Sequence, residues 1–145
     1  MRPRPLAKPK KITSKDCQVE SQRLGLDPAA PLAVRQWQGL IAVNYAAREA
    51  GVTRHMTSAE ALKICPRIAL AHVETLGEGG ASDGGSVVFG GGKKQEDQFV
   101  PQKSQRKASL LRYRDASARV LAALRSFFPP GTVVEKASID EFYVD

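Results

Sequence analysis

The stretch LIAVNYAAREAGVTRHM, from Leu40 to Met56, combines a strand pattern with a helix pattern. It opens with a short apolar run rich in branched side chains, which is typical of a strand. Residues 46–50 are strong helix formers, and Gly51 provides the flexible backbone at which a short helix can end. The stretch therefore predicts a strand, a helix of one or two turns and a loop, in that order.

Another strand is predicted just before this stretch. The run PLAVRQW, residues 31–37, places Leu32 and Val34 on one face, which suits a strand. Gln38 and Gly39 alone separate the two apolar runs, and so tight a connection predicts a β-hairpin.

Further elements are predicted on both sides of the hairpin. Residues 16–23 are consistent with a short helix. Downstream, Thr57 or Ser58 can cap the helix SAEALKIC, and Pro66 prevents its continuation. Residues 67–73 then alternate weakly between larger and smaller side chains, which favours a third strand.

The middle of the chain is unusually rich in glycine. Eight of the sixteen residues from 77 to 92 are glycine, and a polar, charged run follows to residue 106. Ordering so flexible a backbone costs entropy, and no periodic apolar face offsets that cost. We therefore predict a disordered insertion over residues 76–105.

A long helix and a second hairpin are predicted after the insertion. The helix begins at Ser104 or Ser109 and ends at residues 129–131, PPG. Its apolar stripe, with side chains three or four positions apart, comprises Leu110, Tyr113, Ser117, Val120, Leu121, Leu124, Phe127 and Phe128. Residues 132–145 are predicted to form two strands that join around the pair Asp140 and Glu141.

Length and charge bound the possible functions. The chain has 145 residues, which suits one domain or a piece of a larger protein, and a formal net charge of +7. Residues 1–15 hold six basic side chains and no acid, so the remainder is almost neutral. This segment is predicted to be a disordered tail, either a solvated arm or an element for nuclear import or phosphate binding. No apolar run is long enough to span a membrane, so we expect a soluble intracellular protein.

Asp140 and Glu141 are adjacent carboxylates bounded by apolar residues. Mg²⁺ prefers such hard oxygen ligands where it also holds phosphate oxygens. Neighbours in a regular strand point to opposite faces, so both can reach one metal only at a turn or a bulge. The alternative for this pair is an exposed hairpin tip with two solvated acids.

Two arginines and a tyrosine form a second candidate group. Tyr45 and Arg48 lie three apart and so share a face of the short helix, while Arg54 follows on the next loop. Guanidinium groups and a phenolic hydroxyl suit phosphate oxygens. Taken singly, the arginines could equally form surface salt bridges, and Gln36 could be a solvated strand position.

Six segments together resemble the N-terminal part of the Y-family translesion DNA polymerases, which carry a UmuC-like domain, and in particular their fungal eta type. These segments are DCQVE (16–20), AVRQW (33–37), LIAVNYAAREAGVTRHM (40–56), AEALKICP (59–66), KASLLRYRDAS (107–117) and ASIDEFYVD (137–145). The resemblance is specific because GVTR with Met56 and the SIDE motif occur in this order, separated by a long helix.

The resemblance implies an α+β fold made of a fingers subdomain and part of a polymerase palm sheet, incomplete. It divides the chain into a disordered basic tail (1–15), a fingers-like subdomain (16–75), a disordered glycine-rich insertion (76–105) and the start of a palm, with a long helix and a catalytic hairpin (106–145).

The resemblance also implies a role for each candidate residue. Asp140 is similar to the shared catalytic carboxylate that ligates Mg²⁺, and Glu141 to its neighbour, which holds the metal that activates the primer 3′-hydroxyl. Tyr45, Arg48 and Arg54 match nucleotide-binding positions that grip the triphosphate and base of an incoming nucleotide. In addition, Gln36 matches a glutamine that touches the templating base.

The chain departs from the family pattern at its N-terminal end. Where family members have a metal-binding aspartate two residues before the Asp-Cys dipeptide, this chain has Ser14. Family members also have aromatic residues directly after the cysteine, one of which excludes the ribose 2′-hydroxyl, whereas Gln18 follows Cys17 here.

These features predict an N-terminal fragment of an error-prone translesion DNA polymerase that acts in damage bypass. The resemblance implies nucleotidyl transfer with two Mg²⁺ ions, primer-template DNA and a deoxynucleoside triphosphate as partners, and a nuclear location. Because a metal carboxylate is missing, we predict that the chain is inactive in isolation. The alternative is a non-catalytic module that binds nucleotide or nucleic acid; the oligomeric state is left open.

Overall fold

The computed structural model describes residues 15–77, 85–90, 106–138 and 141–145, and these form an α+β fold. The helices within them are α1 (Lys15–Leu24), α2 (Tyr45–Glu49), α3 (Ser58–Ile64) and α4 (Leu111–Phe127). The strands are β1 (Leu32–Gln36), β2 (Gly39–Val43), β3 (Ala69–His72), β4 (Thr75–Leu76), β5 (Val87–Phe89), β6 (Lys107–Ala108), β7 (Val134–Lys136) and β8 (Phe142–Val144).

The central sheet has the strand order β2-β1-β3-β5. Strands β1 and β2 form the predicted antiparallel hairpin, with Gln36 opposite Gly39. Strand β3 runs parallel to β1, so the chain must cross over between them, and α2 and α3 make that connection. The prediction of two strands, two short helices and a third strand is confirmed.

Each face of the central sheet carries its own core. On one face Leu40 and Leu70 pack with Ala47 of α2 and Ala61 of α3. On the other face the core combines residues of α1, β1, β3 and α4: Cys17, Leu32, Val34, Ala71 and Tyr113. Helices therefore cover both faces of the sheet, and strand β3 is buried at all four positions. A half-exposed strand shows alternating polar and apolar residues, whereas a strand buried on both faces does not. The sequence pattern of β3 is therefore weak.

The free cysteines Cys17 and Cys65 lie in the two different cores. Burial, and secondarily the charge of Asp16, raises the pKa of the Cys17 thiol to about 12. The thiol is therefore protonated at neutral pH and packs as a small apolar group.

The prediction of disorder over 76–105 is wrong for residues 85–90 and for Leu76, which belongs to β4 and pairs with Lys107 of β6. Residues 87–89 form β5, which pairs with β3 at the sheet edge. Two of the glycines here are required by close packing, because a Cβ at Gly90 would collide with the Pro66 carbonyl oxygen and one at Gly85 would lie 2.8 Å from the His72 carbonyl oxygen. Residues 78–84 and 91–105 of the predicted insertion lie outside the described residues, as do residues 1–14 of the predicted tail. Lys15, the last residue of that predicted tail, is the first residue of α1.

The predicted long helix is α4, and the predicted C-terminal hairpin is the β7–β8 pair. Ser109 lies just before the helix and its Oγ accepts a hydrogen bond from the Leu111 N–H at 3.4 Å. Of the predicted apolar stripe, Tyr113 and Ser117 are buried, whereas Phe127 is 83% exposed. Among the helices that the structure describes, none has the length and apolarity needed to cross a membrane.

Candidate nucleotide-binding site

Tyr45 and Arg48 lie on α2, directly after strand β2. Tyr45 is the first residue of the helix and is half-buried, and Arg48 follows on the same face and is exposed. The Arg48 Nε donates a hydrogen bond to the Val43 carbonyl oxygen at 3.0 Å. This bond anchors the base of the guanidinium, while its terminal nitrogens pair with no other part of the chain that the structure describes.

Asn44 fixes the start of α2 against the sheet. Its side-chain oxygen accepts hydrogen bonds from the N–H groups of Ala47 and Leu32, each at 3.0 Å, and its amide nitrogen donates to the Ala30 carbonyl oxygen at 2.7 Å. The residue is 3% exposed, so these bonds satisfy a buried polar group. Sequence reasoning missed Asn44, although an asparagine directly before a run of helix formers is an N-cap signal.

Arg54 lies on a loop that returns to the other end of strand β2. Gly51 has a φ of 96° and His55 a φ of 73°, so two residues of the loop adopt left-handed backbone conformations. The His55 N–H donates to the Leu40 carbonyl oxygen and the Leu40 N–H donates to that of Met56, both at 2.9 Å. These bonds pin the loop to the strand and hold the exposed Arg54 near the hairpin turn.

Gln36 is half-buried at the end of β1, beside the same hairpin turn. Its neighbour Trp37 has a φ of 56°, and the Trp37 N–H donates to His72 Nε2 at 3.0 Å. His72 Nδ1 lies 2.7 Å from the Val73 carbonyl oxygen, so we assign the imidazole proton to Nδ1. The fully buried His72 thereby holds the turn that positions Gln36.

Of the two predicted metal ligands, Asp140 lies outside the described residues and Glu141 is exposed. The Glu141 carbonyl oxygen accepts hydrogen bonds from the N–H groups of Ala137 at 3.0 Å and Ser138 at 3.2 Å. These bonds link Glu141 to the residues that follow β7. The shared role of Asp140 and Glu141 in binding metal stays a prediction.

A Mg²⁺ site at Asp140 and Glu141 stays a prediction, because Asp140 lies outside the described residues. Within residues 15–77, 85–90, 106–138 and 141–145, no three His, Cys, Asp or Glu side chains are grouped so that they could hold a metal ion. Position 14, where the resemblance places a further carboxylate, carries a serine hydroxyl that is a weak ligand for this ion.

The structure arranges four of the six predicted site residues around the β1–β2 hairpin. Gln36 and Arg54 lie at its turn, whereas Tyr45 and Arg48 lie on α2, which follows the other end of β2. Glu141 belongs to the separate β7–β8 hairpin.

A buried carboxylate that sequence reasoning missed joins α1 to α4. Glu20 is fully buried, and its Oε1 accepts hydrogen bonds from Arg112 Nη1 at 2.8 Å and the Tyr113 hydroxyl at 2.9 Å. Its Oε2 accepts from Arg23 Nε at 2.6 Å. Burial and the Glu20 charge raise the pKa of Tyr113, which therefore stays a neutral donor. Arg112 and Tyr113 lie more than ninety residues away along the chain, so no local pattern could reveal this cluster.

Comparisons with known proteins agree with this architecture. The model of the impB/mucB/samB family matches residues 16–145. N-acetyltransferase eso1 of Schizosaccharomyces pombe is 46% identical over 128 residues, which are 88% of this chain and 13% of that protein. DNA polymerase eta of Saccharomyces cerevisiae is 37% identical over 132 residues, which are 88% of this chain and 20% of that protein. The chain thus spans a fifth or less of the length of these curated relatives.

A solved structure supports the fold. The crystal structure of DinB from Sulfolobus solfataricus matches with a TM-score of 0.55 and 21% sequence identity, covering 89% of this chain and 28% of the DinB chain. This match confirms the predicted α+β fold, and the sequence relatives confirm the resemblance to the Y-family polymerases. The chain therefore belongs to the impB/mucB/samB family and is similar to the Y-family DNA polymerases.

Proposed function

We propose that the chain is the nucleotide-binding part of a translesion DNA polymerase, with the fingers in residues 16–75 and the beginning of the palm in residues 106–145. The observation that carries the proposal is the family match over residues 16–145 together with the placement of Arg48 on α2. The Arg48 guanidinium is anchored through Nε, and its terminal nitrogens have no partner among the described residues, which suits it to bind phosphate oxygens in a fork geometry. Arg54 and Gln36 would contact the nucleotide base and the templating base.

The partners under this proposal are primer-template DNA and a deoxynucleoside triphosphate, and the location is the nucleus. The complete enzyme would join the primer 3′-hydroxyl to the α-phosphate of the nucleotide opposite damaged bases. Mg²⁺ would supply charge stabilisation in that reaction, with Asp140 and Glu141 as its ligands.

We further propose that this chain does not catalyse the transfer by itself. Asp140 and Glu141 are two carboxylates where the resemblance calls for three, and Ser14 cannot replace the third as an anionic ligand. The chain matches a fifth or less of the length of the curated relatives.

Primer extension tests this proposal. The purified chain is mixed with an undamaged primer-template, all four deoxynucleoside triphosphates and Mg²⁺, and the expected result is no incorporation above the background without protein. Incorporation that is lost in the Asp140→Asn variant would show that the chain is an active polymerase and would contradict the proposed inactivity.

A second candidate is a binding module that holds nucleotide without chemistry, and the anchoring of Arg48 favours it. Titration of the chain with a deoxynucleoside triphosphate should show binding that Arg48→Ala weakens about tenfold, because a charge-assisted contact to phosphate is lost. The matched control is Arg67→Ala, which removes an exposed arginine from the turn before β3. Equal loss in both variants would indicate unspecific charge attraction rather than a site.

Deletion of residues 1–15 separates this site from the basic tail, whose removal should leave nucleotide affinity unchanged.

A further inference from the structure

His72 is the last residue of β3 and contacts the turn of the β1–β2 hairpin. It is fully buried, and its ring packs edge-on against Trp37, with ring centroids 5.5 Å apart. Its Nε2 accepts a hydrogen bond from the Trp37 N–H at 3.0 Å, and its Nδ1 lies 2.7 Å from the Val73 carbonyl oxygen. The imidazole therefore joins the turn to the sheet through both of its nitrogens.

Both of these partners are backbone groups whose hydrogen-bonding roles cannot change. A backbone N–H only donates and a carbonyl oxygen only accepts. Nε2 must therefore be without a proton and Nδ1 must carry one, which defines the neutral imidazole. A second proton, on Nε2, would set two donors against each other at the Trp37 N–H.

The turn needs this hydrogen bond because its backbone is strained. Trp37 has a φ of 56°, in the left-handed region that a bulky aromatic residue rarely adopts. Such a conformation persists only where surrounding contacts hold it. Here the contacts to His72 hold it, so loss of the bond to Nε2 should let the turn leave this conformation.

The same turn supports two parts of the candidate nucleotide-binding site. Gln36 directly precedes Trp37. On the other side of the turn, the Gln38 carbonyl oxygen accepts a hydrogen bond from the Ser58 N–H at 3.1 Å, just after the loop that carries Arg54. The positions of Gln36 and of the Arg54 loop therefore both depend on the conformation at Trp37.

Three ionisable side chains belong to the segments around His72 in the described part of the chain. Arg35 is its register partner on β1, Glu74 follows two positions later, and Arg112 of α4 approaches the His72 carbonyl oxygen across Gly85. The charged side chains of α2, of α3 and of the loop between them are exposed and face solvent. These charges influence the pH at which His72 takes up a proton, but they do not alter the fixed roles of its two backbone partners.

We propose that His72 is a positioning residue for the candidate nucleotide-binding site and that it acts only as the neutral imidazole. Protonation of Nε2 breaks the hydrogen bond from the Trp37 N–H, and the turn that carries Gln36 then loosens. The consequence for nucleotide or template contacts rests on the proposed function, whereas the state of the turn is measurable without any ligand.

Hydrogen exchange at the Trp37 amide, followed by nuclear magnetic resonance in the full chain, tests this proposal. Protection is the intrinsic exchange rate at each pH divided by the measured rate. It should fall about tenfold or more between about pH 7.5 and about pH 5.5, because one hydrogen bond is lost in the range where histidine titrates. The Ala47 amide, which donates to the Asn44 side chain at the other end of β2, should keep its protection.

Three variants connect the change to His72, since the chain has one tryptophan and two histidines. His72→Gln offers an acceptor and a donor one carbon apart, as imidazole does, but takes up no proton in this range. It should keep the neutral-pH protection of Trp37 within about threefold and abolish the pH dependence. His72→Phe retains an aromatic ring without either hydrogen bond and should show low protection at both pH values.

The third variant, His55→Asn, is the matched control. His55 is exposed, and asparagine tolerates its left-handed conformation, so this variant should behave like the wild type.

Four results would overturn the proposal. These are a wild-type Trp37 protection that does not change with pH, the same change in His72→Gln, low protection in His72→Gln at neutral pH, and loss of Ala47 protection together with that of Trp37. The last result would make His72 an ordinary core residue whose protonation unfolds the whole chain. Absence of nucleotide binding would contradict the proposed function and leave the measurement on the turn intact.

Discussion

Among single residues, Glu20 has a large part in holding two helices of this chain together. Its fully buried carboxylate accepts three hydrogen bonds from two helices. These bonds join α1, near the N-terminus, to α4, in the C-terminal part of the sequence. A buried charge is costly unless it is paired, and here each carboxylate oxygen has at least one donor.

We expect Glu20→Gln to lower the free energy of unfolding by about 2–4 kcal/mol, because it leaves two guanidinium groups without their counter-ion and puts an amide donor where a donor already points. Urea unfolding at neutral pH measures this change. Glu135→Gln, at an exposed position on β7, is the control and should change the stability by less than about 0.5 kcal/mol. A loss for Glu20→Gln no larger than that of the control would show that the cluster does not stabilise the fold.

Arg35 presents the opposite case. Its side chain is 4% exposed, its Nε has no hydrogen-bond partner among the described residues, and burial lowers its pKa. A buried cation without an anion opposes folding.

Arg35→Met should therefore raise the free energy of unfolding by about 1–2 kcal/mol, since methionine fills a similar volume without a charge to desolvate. Thermal and urea unfolding report the change, and Arg67→Met provides an exposed control. If Arg35→Met instead destabilised the chain, the result would show that the guanidinium has hydrogen-bond partners in solution.

At the scale of elements, the short helices depend on their caps. Thr57 and Glu60 form a capping box at α3, in which the Glu60 carboxylate accepts from the Thr57 N–H and hydroxyl, both at 2.8 Å. These hydrogen bonds lower the pKa of Glu60, the backbone bond being the larger cause. The carboxylate form is thus favoured in the folded state.

A lowered pKa contributes stability above the ordinary glutamate pKa of about 4.3, and the contribution is lost as the pH falls through the folded value. The wild type should therefore be more stable than Glu60→Gln at neutral pH, and the difference should vanish in acid. Urea unfolding across this pH range measures it, with Glu49→Gln, an exposed position at the end of α2, as the control. A difference that is constant with pH would show that the cap does not depend on the charge.

The edge strand β5 depends on close approach of two backbones. At Gly90 an added Cβ would meet the Pro66 carbonyl oxygen, whereas nothing lies within 4 Å of a Cβ at Gly39. Backbone atoms cannot move aside as a flexible side chain can.

Gly90→Ala should destabilise the fold by about 1–3 kcal/mol and loosen β5. Hydrogen exchange at the Val88 amide should be faster in Gly90→Ala, while Gly39→Ala should leave it unchanged. Equal exchange in both variants would mean that β5 does not pack as the structure shows.

For the whole molecule, the important feature is a shared core. Cys17 of α1, Leu32 of β1 and Tyr113 of α4 belong to one apolar cluster, so the predicted fingers-like and palm segments share one of the two cores of the sheet. If one segment unfolds, the apolar side chains that the other segment packs against it become exposed to water.

The chain should accordingly unfold in one cooperative transition. Trp37 fluorescence reports on the hairpin turn and far-ultraviolet circular dichroism reports on all helices, the largest of which is α4. Their urea transitions should coincide, and transitions with separate midpoints would show that the two segments fold independently.

Local sequence determined much of the fold. The β1–β2 hairpin, the capped helices α2 and α3, the helix α4 and the β7–β8 hairpin follow from periodicity, turn residues and caps, which act within a few positions along the chain. The family resemblance also came from short motifs in order, and it placed Tyr45, Arg48, Arg54 and Gln36 on elements that the structure confirms, while their roles remain proposals.

The remaining features depend on contacts between distant parts of the chain. Strand β5 forms by pairing with the edge of β3. The Glu20 cluster forms because α1 and α4 pack together. Arg35 is buried because elements on both sides cover its strand. Each of these depends on groups that are far apart in the sequence. A pattern of neighbouring residues carries information about local backbone preference, whereas burial and pairing across the chain are settled only when the sheet and its two helical layers pack against each other.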